Sequence, residues 1–246
     1  MSPELRKILS EARSVVVLTG AGVSAESGIA TFRDPDGLWQ QFKPQELANI
    51  DAFLANPSLV QRWYAERRRV VEEAEPNPAH RALALLDTVV ETTIITQNVD
   101  GLHHQSGSRN VIELHGNIRR SYCVDCGGKS DNPQLDAQGI AHCRRCSGLI
   151  RPDVVWFGEM LPVEAIRMAY EATRTADVFL SIGTGAEVSP AADLPIIAGR
   201  HGAYTVEMNI RRSAISDFVD EIVSGPAGTT VPDLVSVVLD SRQTST

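Results

Sequence analysis

The four cysteines of the chain form two C-x-x-C pairs, Cys123 with Cys126 and Cys143 with Cys146, and sixteen residues separate the pairs. This spacing is typical of a structural zinc site, in which each pair forms a tight turn and four thiolates complete a tetrahedron. Two disulfides or a redox dithiol are the alternatives, but disulfides are rare in a reducing compartment and a redox motif needs one pair rather than two. We therefore expect one structural Zn²⁺, with no coordination position open for catalysis.

A glycine-rich turn follows the first apolar segment and has the sequence Thr19-Gly20-Ala21-Gly22-Val23-Ser24-Ala25. It is a G-x-G-x-x-A variant of the dinucleotide fingerprint, in which Gly20 permits a tight turn and Gly22 lets the backbone approach a pyrophosphate. The start of a following helix would supply N–H groups to the phosphates. A dehydrogenase would also need a second strand that ends in an acidic residue about 20 positions later, and the chain has none there. The turn therefore predicts dinucleotide binding without hydride transfer.

Short apolar segments rich in Val and Ile alternate with helical patterns along the chain. The predicted strands are Ser14–Thr19, Thr92–Gln97, Val111–Leu114, Val154–Phe157, Asp177–Ile182 and Tyr204–Met208. The predicted helices, each with a proline at or near its start, are Pro3–Ala12, Pro57–Glu75, Pro78–Asp87, Pro162–Thr175, Pro190–Arg200 and Val231–Leu239. Strands that alternate with helices predict an α/β fold with a doubly wound, mostly parallel, Rossmann-like sheet.

Residues 119–151 interrupt this alternation, because they contain few apolar side chains and polar residues fill the space between the cysteine pairs. We expect a small zinc-ribbon module here, inserted into a dinucleotide-binding, Rossmann-like domain made of residues 1–118 and 152–246. Six basic side chains and three aspartates give the module a charge of +3, which four thiolates and Zn²⁺ reduce to about +1. That charge is too small for dedicated nucleic-acid binding.

Composition places the chain among globular proteins. It has 246 residues, 43% hydrophobic residues and a net charge of −8, which disfavours a disordered chain and a binder of nucleic acid or anionic membranes. The longest apolar run has five residues, 82–86, which predicts no membrane span. The first residues lack the layout of a secretory signal. We therefore expect a cytoplasmic protein with no membrane partner, and a monomer is favoured.

Five motifs follow one another along the chain: Gly20–Arg33, Thr96–His103, Glu113–Asn117, the cysteine quartet and Arg151–Glu159. Together they resemble the sirtuins, which are NAD-dependent protein lysine deacylases, and the resemblance extends from Val15 to Ala227. It implies that NAD is consumed as a co-substrate.

The resemblance implies a role for each polar residue at the predicted strand ends. His115 would be the catalytic base, which accepts a ribose hydroxyl proton after the acyl-lysine oxygen has attacked C1′ and nicotinamide has left. Gln97 would contact the ribose, Asn98 would orient the ribose or a water, and Asp100 would bond the nicotinamide carboxamide. From the residues alone, a histidine after a strand is more often structural, although its ordinary pKa suits proton transfer near neutral pH.

Further cofactor contacts are implied outside these strand ends. Phe32 would shield C1′ from water, and Arg33 would meet phosphate. Asn209 would contact the adenosine ribose, and Ala227 would lie beside the adenine. The segment Gly183-Thr184-Gly185 follows the fifth predicted strand. The family usually has serine where Gly185 stands, so we expect NAD to bind with changed affinity.

Tyr64 and Arg67 lie three residues apart in a predicted helix and therefore project from one face. This Tyr-x-x-Arg is similar to that of class III sirtuins, whose acyl pocket takes negatively charged chains such as succinyl. A guanidinium and a phenol hydroxyl together suit a carboxylate. The alternative is a solvated basic face with Tyr64 in the core. The residues expected to line the peptide groove are Val154, Trp156, Phe157 and Gly158.

The sequence thus predicts a deacylase that acts on acylated-lysine proteins, favours succinyl over acetyl, and releases nicotinamide and 2′-O-acyl-ADP-ribose. A protein ADP-ribosyltransferase that uses the same NAD site is the alternative enzyme. A zinc-ribbon binding module with a vestigial NAD site is the non-enzymatic alternative.

Overall fold

A parallel six-stranded sheet forms the centre of the computed structural model, which describes residues 1–31, 43–130 and 133–243. The strand order is β3-β2-β1-β6-β7-β8. The strands are β1 Ser14–Thr19, β2 Glu91–Thr96, β3 Val111–Glu113, β6 Val178–Ile182, β7 Tyr204–Asn209 and β8 Glu221–Ser224. The chain leaves β1 in one direction towards β2 and β3, and returns on its other side as β6. The predicted doubly wound, mostly parallel fold is therefore confirmed.

Most of the predicted helices start within one residue of the expected position, whereas those expected at Pro190 and Val231 start at Leu194 and Ala227. In the described part of the chain they are α1 Pro3–Glu11, α2 Pro44–Leu47, α3 Ile50–Ala55, α4 Pro57–Glu73, α5 Pro78–Leu86, α6 Leu102–Gln105, α7 Val163–Thr175, α8 Leu194–Arg200 and α9 Ala227–Gln243. Ser2 caps α1, because its hydroxyl accepts the Leu5 backbone N–H at 3.0 Å. Asn77 and His80 form a capping box at the start of α5, which satisfies two N–H groups that the helix leaves unpaired.

Both faces of the sheet are covered, which explains why its strands are almost uniformly apolar. Val15 and Val17 of β1 pack with α1, α5 and α9 on one face. Val16 and Leu18 pack with α7 and α8 on the other face. Burial on both sides fixes the register of β1, so that its end and the ends of its neighbours reach the same edge of the sheet.

A second sheet of two antiparallel strands, β4 Gly116–Cys123 and β5 Ile150–Val154, carries the cysteine segment between them. The predicted strand Val154–Phe157 was wrong, because the ladder ends at Val154 and the chain then turns. There the Trp156 backbone N–H donates to the Glu159 carboxylate at 2.8 Å instead of to a neighbouring strand.

The two-stranded sheet packs against α3 and α4, around a cluster that includes Phe53, Val60, Tyr64, Ile118 and Trp156. The sequence division assigned α3 and α4 to the nucleotide-binding domain, whereas their apolar side chains contribute to this separate cluster. The exact domain boundaries stay a prediction. In the part of the chain that the structure describes, no helix combines the length and apolar character needed to cross a membrane.

Candidate active site between the sheet and the small module

A cavity of about 1070 Å³ opens at the carboxyl ends of β1, β2, β6 and β7 and extends to α4 and β5. Its position beside β1 and β6 is the point where the strand order reverses, which is where open α/β sheets bind ligands. The predicted site residues that line it are Gly20, Ala21, Gly22, Ala25, Tyr64, Arg67, Gln97, Asn98, His115, Val154, Trp156, Phe157, Gly158, Gly183, Thr184, Gly185, Asn209 and Ala227. Phe32 and Arg33 lie outside the described residues.

Close backbone packing explains the glycines at one wall of the cavity. The Gly22 N–H donates to the Gly183 carbonyl oxygen at 2.8 Å, and the Gly20 N–H donates to the Ile182 carbonyl oxygen at 3.1 Å. A Cβ atom on Gly22 would lie 2.8 Å from the Gly183 Cα, and one on Gly183, whose φ is +59°, would lie 2.5 Å from the Val23 nitrogen. The two segments therefore require glycine to form a tight backbone cradle.

The helix expected after the glycine-rich turn is replaced by two short 3₁₀ turns, Ala21–Val23 and Ala25–Ser27. The second turn ends at Gly28, whose φ of +81° is left-handed and therefore stops a helix. The N–H groups that the first turn of a long helix would offer to phosphates are therefore not supplied here, and those of Gly20 and Gly22 are used inside the cradle.

His115 and Gln97 meet across the ends of β3 and β2. The Nδ1 atom of His115 lies 2.9 Å from the Gln97 carbonyl oxygen. The Gln97 amide side chain donates to the Thr184 hydroxyl at 3.0 Å. Burial lowers the pKa of His115, and the bond to Gln97 offsets part of that effect. His115 is therefore held at the cavity wall as a neutral imidazole near neutral pH.

Asn98 and Asp100 converge on Ser24, a residue whose role the sequence interpretation missed. The Asn98 side-chain amide donates to the Gly20 carbonyl oxygen at 3.0 Å and to the Ser24 hydroxyl at 3.1 Å. The Ser24 hydroxyl donates to the Asp100 carboxylate at 2.8 Å. These bonds tie the glycine-rich turn to the end of β2.

Asp100 is absent from the described residues that line the cavity, and it is 4% exposed. Its second oxygen accepts the Leu102 backbone N–H at 2.8 Å. Burial raises the pKa of Asp100, although both hydrogen bonds act against that shift. Its direct contact with a nicotinamide group stays a prediction.

Two buried histidines, His80 and His103, lie behind Ser24 with ring centroids 4.9 Å apart. His103 approaches the Thr19 hydroxyl at 3.0 Å through Nε2. Burial lowers the pKa of His80 to about 4 and that of His103 well below its usual range. Sequence reasoning missed this pair because the residues come from α5 and α6, more than twenty positions apart.

The opposite end of the cavity is built from the ends of β6 and β7 and the start of α9. The Asn209 side-chain amide donates to the Thr184 carbonyl oxygen at 3.0 Å. Ala227 begins α9, and the Glu26 carboxylate accepts the Gly228 backbone N–H at 2.6 Å. Among the described residues, the atoms nearest to a Cβ on Gly185 would be those of Glu187, at 3.7 Å, so packing against these residues does not require glycine at this position.

Tyr64 and Arg67 lie on the α4 side of the same cavity. Tyr64 is buried and accepts the Trp156 indole N–H at 2.8 Å. Arg67 is half-buried and makes no hydrogen bond or ion pair with any residue that the structure describes. Burial lowers the pKa of Arg67, and the charge of the neighbouring Glu66 offsets only part of that effect, so the guanidinium is partly desolvated.

The four cysteines meet at the far end of the two-stranded sheet. Their sulfur atoms all lie within 4.8 Å of one another, with Cys123 and Cys146 at 3.5 Å and Cys126 and Cys143 at 3.7 Å. A tetrahedral Zn²⁺ with bonds of about 2.3 Å places its sulfur ligands about 3.8 Å apart. The donor set and its spacing therefore fit a structural zinc ion, as the sequence predicts.

Comparisons with known proteins agree with this architecture. The Sir2 family model matches residues 20–190. The chain is 49% identical over 245 residues to NAD-dependent protein deacylase 2 of Pyrobaculum aerophilum, covering 97% of this chain and 98% of that one. It is 45% identical over 242 residues to the NAD-dependent protein deacylase of Thermococcus kodakarensis, covering 95% and 94%.

Solved structures extend the agreement to three dimensions. A mutant Sir2 homologue in complex with ADP-ribose has a TM-score of 0.95 at 42% identity and covers 99% of this chain and 98% of its own. A Sir2 homologue–NAD complex has a TM-score of 0.91 at 42% identity and covers 100% and 96%. The matches span nearly the whole chain in both sequence and fold, and the resemblance inferred from the five motifs is confirmed: this chain belongs to the Sir2 family, the sirtuins.

Proposed function

We propose that this protein is an NAD-dependent protein lysine deacylase that prefers succinyl to acetyl groups. The deacylase activity follows from membership of the Sir2 family and from the names of the relatives. The observation that carries the proposal is a single cavity lined by the glycine cradle, His115, Tyr64 and Arg67. One wall therefore suits a dinucleotide, another suits an acyl chain, and a basic side chain lies in the same space.

When bound, NAD would supply the electrophilic C1′ of its nicotinamide ribose, which accepts the acyl-lysine oxygen as the bond to nicotinamide breaks and nicotinamide leaves. The Gly20 and Gly22 N–H groups are used within the cradle, so the phosphates would be bound by other backbone N–H groups at the cavity wall, such as that of Gly185, and Asn209 would bind the adenosine ribose. Gln97 orients the nicotinamide ribose through its side chain, which Thr184 holds in place. His115 accepts a ribose hydroxyl proton at Nε2, because its Nδ1 is occupied by the Gln97 carbonyl group.

The acyl preference rests on Tyr64 and Arg67. A succinyl chain ends in a carboxylate, whereas an acetyl chain ends in a methyl group. The Arg67 guanidinium is half-buried and unpaired among the described residues, so a carboxylate would supply the missing charge-assisted hydrogen bonds. A methyl group would leave the partly desolvated cation without these hydrogen bonds.

The protein substrate would enter along the segment Val154–Gly158, which carries the exposed Phe157. An extended peptide could pair with this backbone by strand addition, in which hydrogen bonds between the two main chains supply the affinity. Zinc, held by the four cysteines, would support the module from which β5 leads into this segment. A solved Sir2 complex with a peptide and NAD⁺, 35% identical to this chain, supports the peptide assignment.

The test measures turnover of matched succinyl-lysine and acetyl-lysine peptides by mass spectrometry, with and without NAD. The wild type should desuccinylate in an NAD-dependent reaction and show a higher kcat/KM for the succinyl peptide. Tyr64→Phe/Arg67→Met should lower the succinyl-to-acetyl ratio of kcat/KM about a hundredfold, because two hydrogen bonds to a charged group are lost. Arg69→Met is the matched control, since Arg69 lies on the same helix but is exposed and paired with Glu66 and Glu73.

The products distinguish the remaining functions. Free 2′-O-acyl-ADP-ribose supports deacylation, whereas ADP-ribose attached to protein without it would identify a transferase. Equal turnover of the two peptides by the wild type would keep the deacylase and refute the succinyl preference.

A further inference from the structure

The indole of Trp156 connects the end of β5 to the acyl-binding side of the cavity. Trp156 is 2% exposed, and its ring lies 5.2 Å from Phe53 and 6.1 Å from Tyr64, measured between centroids. Its Nε1–H group donates to the Tyr64 hydroxyl oxygen at 2.8 Å. An indole N–H is only ever a donor, so the direction of this bond is fixed.

The direction of this bond determines what the Tyr64 hydroxyl group offers to a ligand. Its oxygen accepts from Trp156, and its own proton has no acceptor among the described residues. Burial also raises the pKa of Tyr64, which keeps the phenol protonated. Tyr64 therefore presents a hydrogen-bond donor, and a carboxylate is a group that only accepts.

Arg151 and Glu159 hold Trp156 in this position. The Arg151 guanidinium lies over the indole, with its Cζ atom 3.6 Å from the ring centroid. Arg151 donates to Glu159 at 2.9 Å and to the Val154 carbonyl oxygen at 2.9 Å, while Glu159 also accepts the Trp156 backbone N–H. A cation over the ring face draws electron density from the indole, which strengthens its N–H as a donor.

We infer that Trp156 is a positioning residue for acyl selectivity: its indole N–H occupies the acceptor side of the Tyr64 hydroxyl, and the hydroxyl proton is thereby directed to the carboxylate of the acyl chain. The inference rests on the proposed succinyl preference and deepens it. Without the indole N–H, the Tyr64 hydroxyl could rotate and present a lone pair to the acyl carboxylate, which repels it.

Trp156→Phe tests the inference, because it keeps an aromatic ring against Phe53 and removes the N–H. The measured quantity is the succinyl-to-acetyl ratio of kcat/KM, determined in the wild type and in a Tyr64→Phe background. Trp156→Phe alone should lower the ratio about tenfold, mainly through the KM for the succinyl peptide, as expected for one misdirected hydrogen bond to a charge. In the Tyr64→Phe background it should change the ratio less than about twofold, because the hydroxyl through which it acts is gone.

Each outcome has a definite meaning. An equal loss of the ratio in both backgrounds, or a wild-type ratio kept by Trp156→Phe, overturns the positioning role while the succinyl preference stands. A wild type with no preference overturns both. If Trp156→Phe does not fold, the indole ¹H–¹⁵N resonance of Trp156 is measured by NMR instead, in the wild type and in Tyr64→Phe. That resonance should shift in Tyr64→Phe and on binding of a succinyl-lysine peptide to the wild type, and an unmoved resonance overturns the inference.

Discussion

The Nδ1 atom of His115 lies 2.9 Å from the backbone carbonyl oxygen of Gln97, and this contact fixes the tautomer of the imidazole. A carbonyl oxygen only accepts, so Nδ1 carries the hydrogen and Nε2 keeps its lone pair. Gln97, which is predicted to contact the ribose, therefore also orients the proposed base.

The pH dependence of turnover should report this neutral imidazole. Burial lowers the pKa of His115 below its ordinary value of 6.5. The base is active when neutral, so kcat/KM should rise with pH through a pKa below 6.5 and be level above it. His115→Ala should lower kcat by about a hundredfold or more, with the zinc content unchanged. A pH midpoint above 7, or deacylation retained in His115→Ala, would contradict the assignment.

Substitution of Gly183 should damage the cradle for NAD. Gly183→Ala combines a φ of +59° with a Cβ atom 2.5 Å from the Val23 nitrogen, so both strain and a backbone clash oppose it. We expect a loss of about 3 kcal/mol in the free energy of unfolding and weaker NAD binding, measured by urea denaturation and calorimetry. Gly107→Ala is the control, because its φ is +98° but nothing lies within 4 Å. It should cost about 1 kcal/mol and leave NAD affinity intact.

Gly185→Ser should strengthen NAD binding. The added side chain has room, since a Cβ atom there would meet only Glu187 at 3.7 Å. It restores the hydroxyl that the family usually places at this position, and one further hydrogen bond is worth about 1 kcal/mol, or roughly a fivefold lower KM for NAD. Steady-state kinetics with varied NAD would decide the matter. A higher KM would show that the glycine itself is needed for binding.

Loss of one zinc ligand should unfold the cysteine module. Cys126→Ser removes one of four sulfurs that lie within 4.8 Å of one another, and the remaining three hold zinc poorly. We expect zinc content below one per chain and a Tm lower by roughly 10 °C, because metal binding contributes several kcal/mol to folding. Lys129→Ser, an exposed change in the same module, should keep both values. A stable, metal-free Cys126→Ser protein would refute the structural zinc site.

The buried histidines should make the fold less stable in mild acid. Burial lowers the pKa of His80 to about 4, whereas in the unfolded chain a histidine titrates near 6.5. Between these values the unfolded state binds more protons, so the free energy of unfolding falls as the pH decreases through this window. His80 alone should account for about 2 kcal/mol between pH 7 and pH 4.5. Asp100 acts in the opposite sense, because its raised pKa lets the folded state bind the extra proton.

The variant His80→Gln separates the protonation of His80 from the loss of zinc in acid. The wild type and the variant have the same cysteine site, so zinc loss should affect both equally. The variant should show a flatter dependence of unfolding free energy on pH in urea titrations. A slope equal to that of the wild type would assign the acid sensitivity to groups other than His80.

The main sheet could be predicted because its signals are local. Strand β1 begins and ends at Ser14 and Thr19 in both the prediction and the structure, and the proline-started helices lie within a few residues of their predicted bounds. The strands β4 and β5 could not be predicted, because they pair with each other across the cysteine segment and their register shifts between Asn117 and Ser121. Strand β8, at the sheet edge, is only partly buried and lacks the apolar run of the others.

The site could be predicted where a motif stands at a strand end, as for Gln97, Asn98 and His115. Contacts between distant residues had no such signal. The bond between Trp156 and Tyr64 joins positions 92 residues apart, and Ser24 acquires its role only when Asn98 and Asp100 fold against it. Such pairings depend on packing, which periodicity and spacing do not encode.

The hairpin of β4 and β5 separates the metal from the reaction. At one end Gly116 pairs with Val154, next to His115 and Trp156, and at the other end Cys123 pairs with Ile150. On β5 the same two ends, Val154 and Ile150, are four residue steps apart, a distance of roughly 13 Å in extended chain. The strands are not the sole connection between the metal-binding tip and the cleft, because the Gln61 side chain on α4 also bonds to the backbone of Ala141 and Ile150. Helix α4 carries Tyr64 and Arg67 as well, so a change that displaces the metal-binding tip should alter the acyl-binding side of the cavity through this helix.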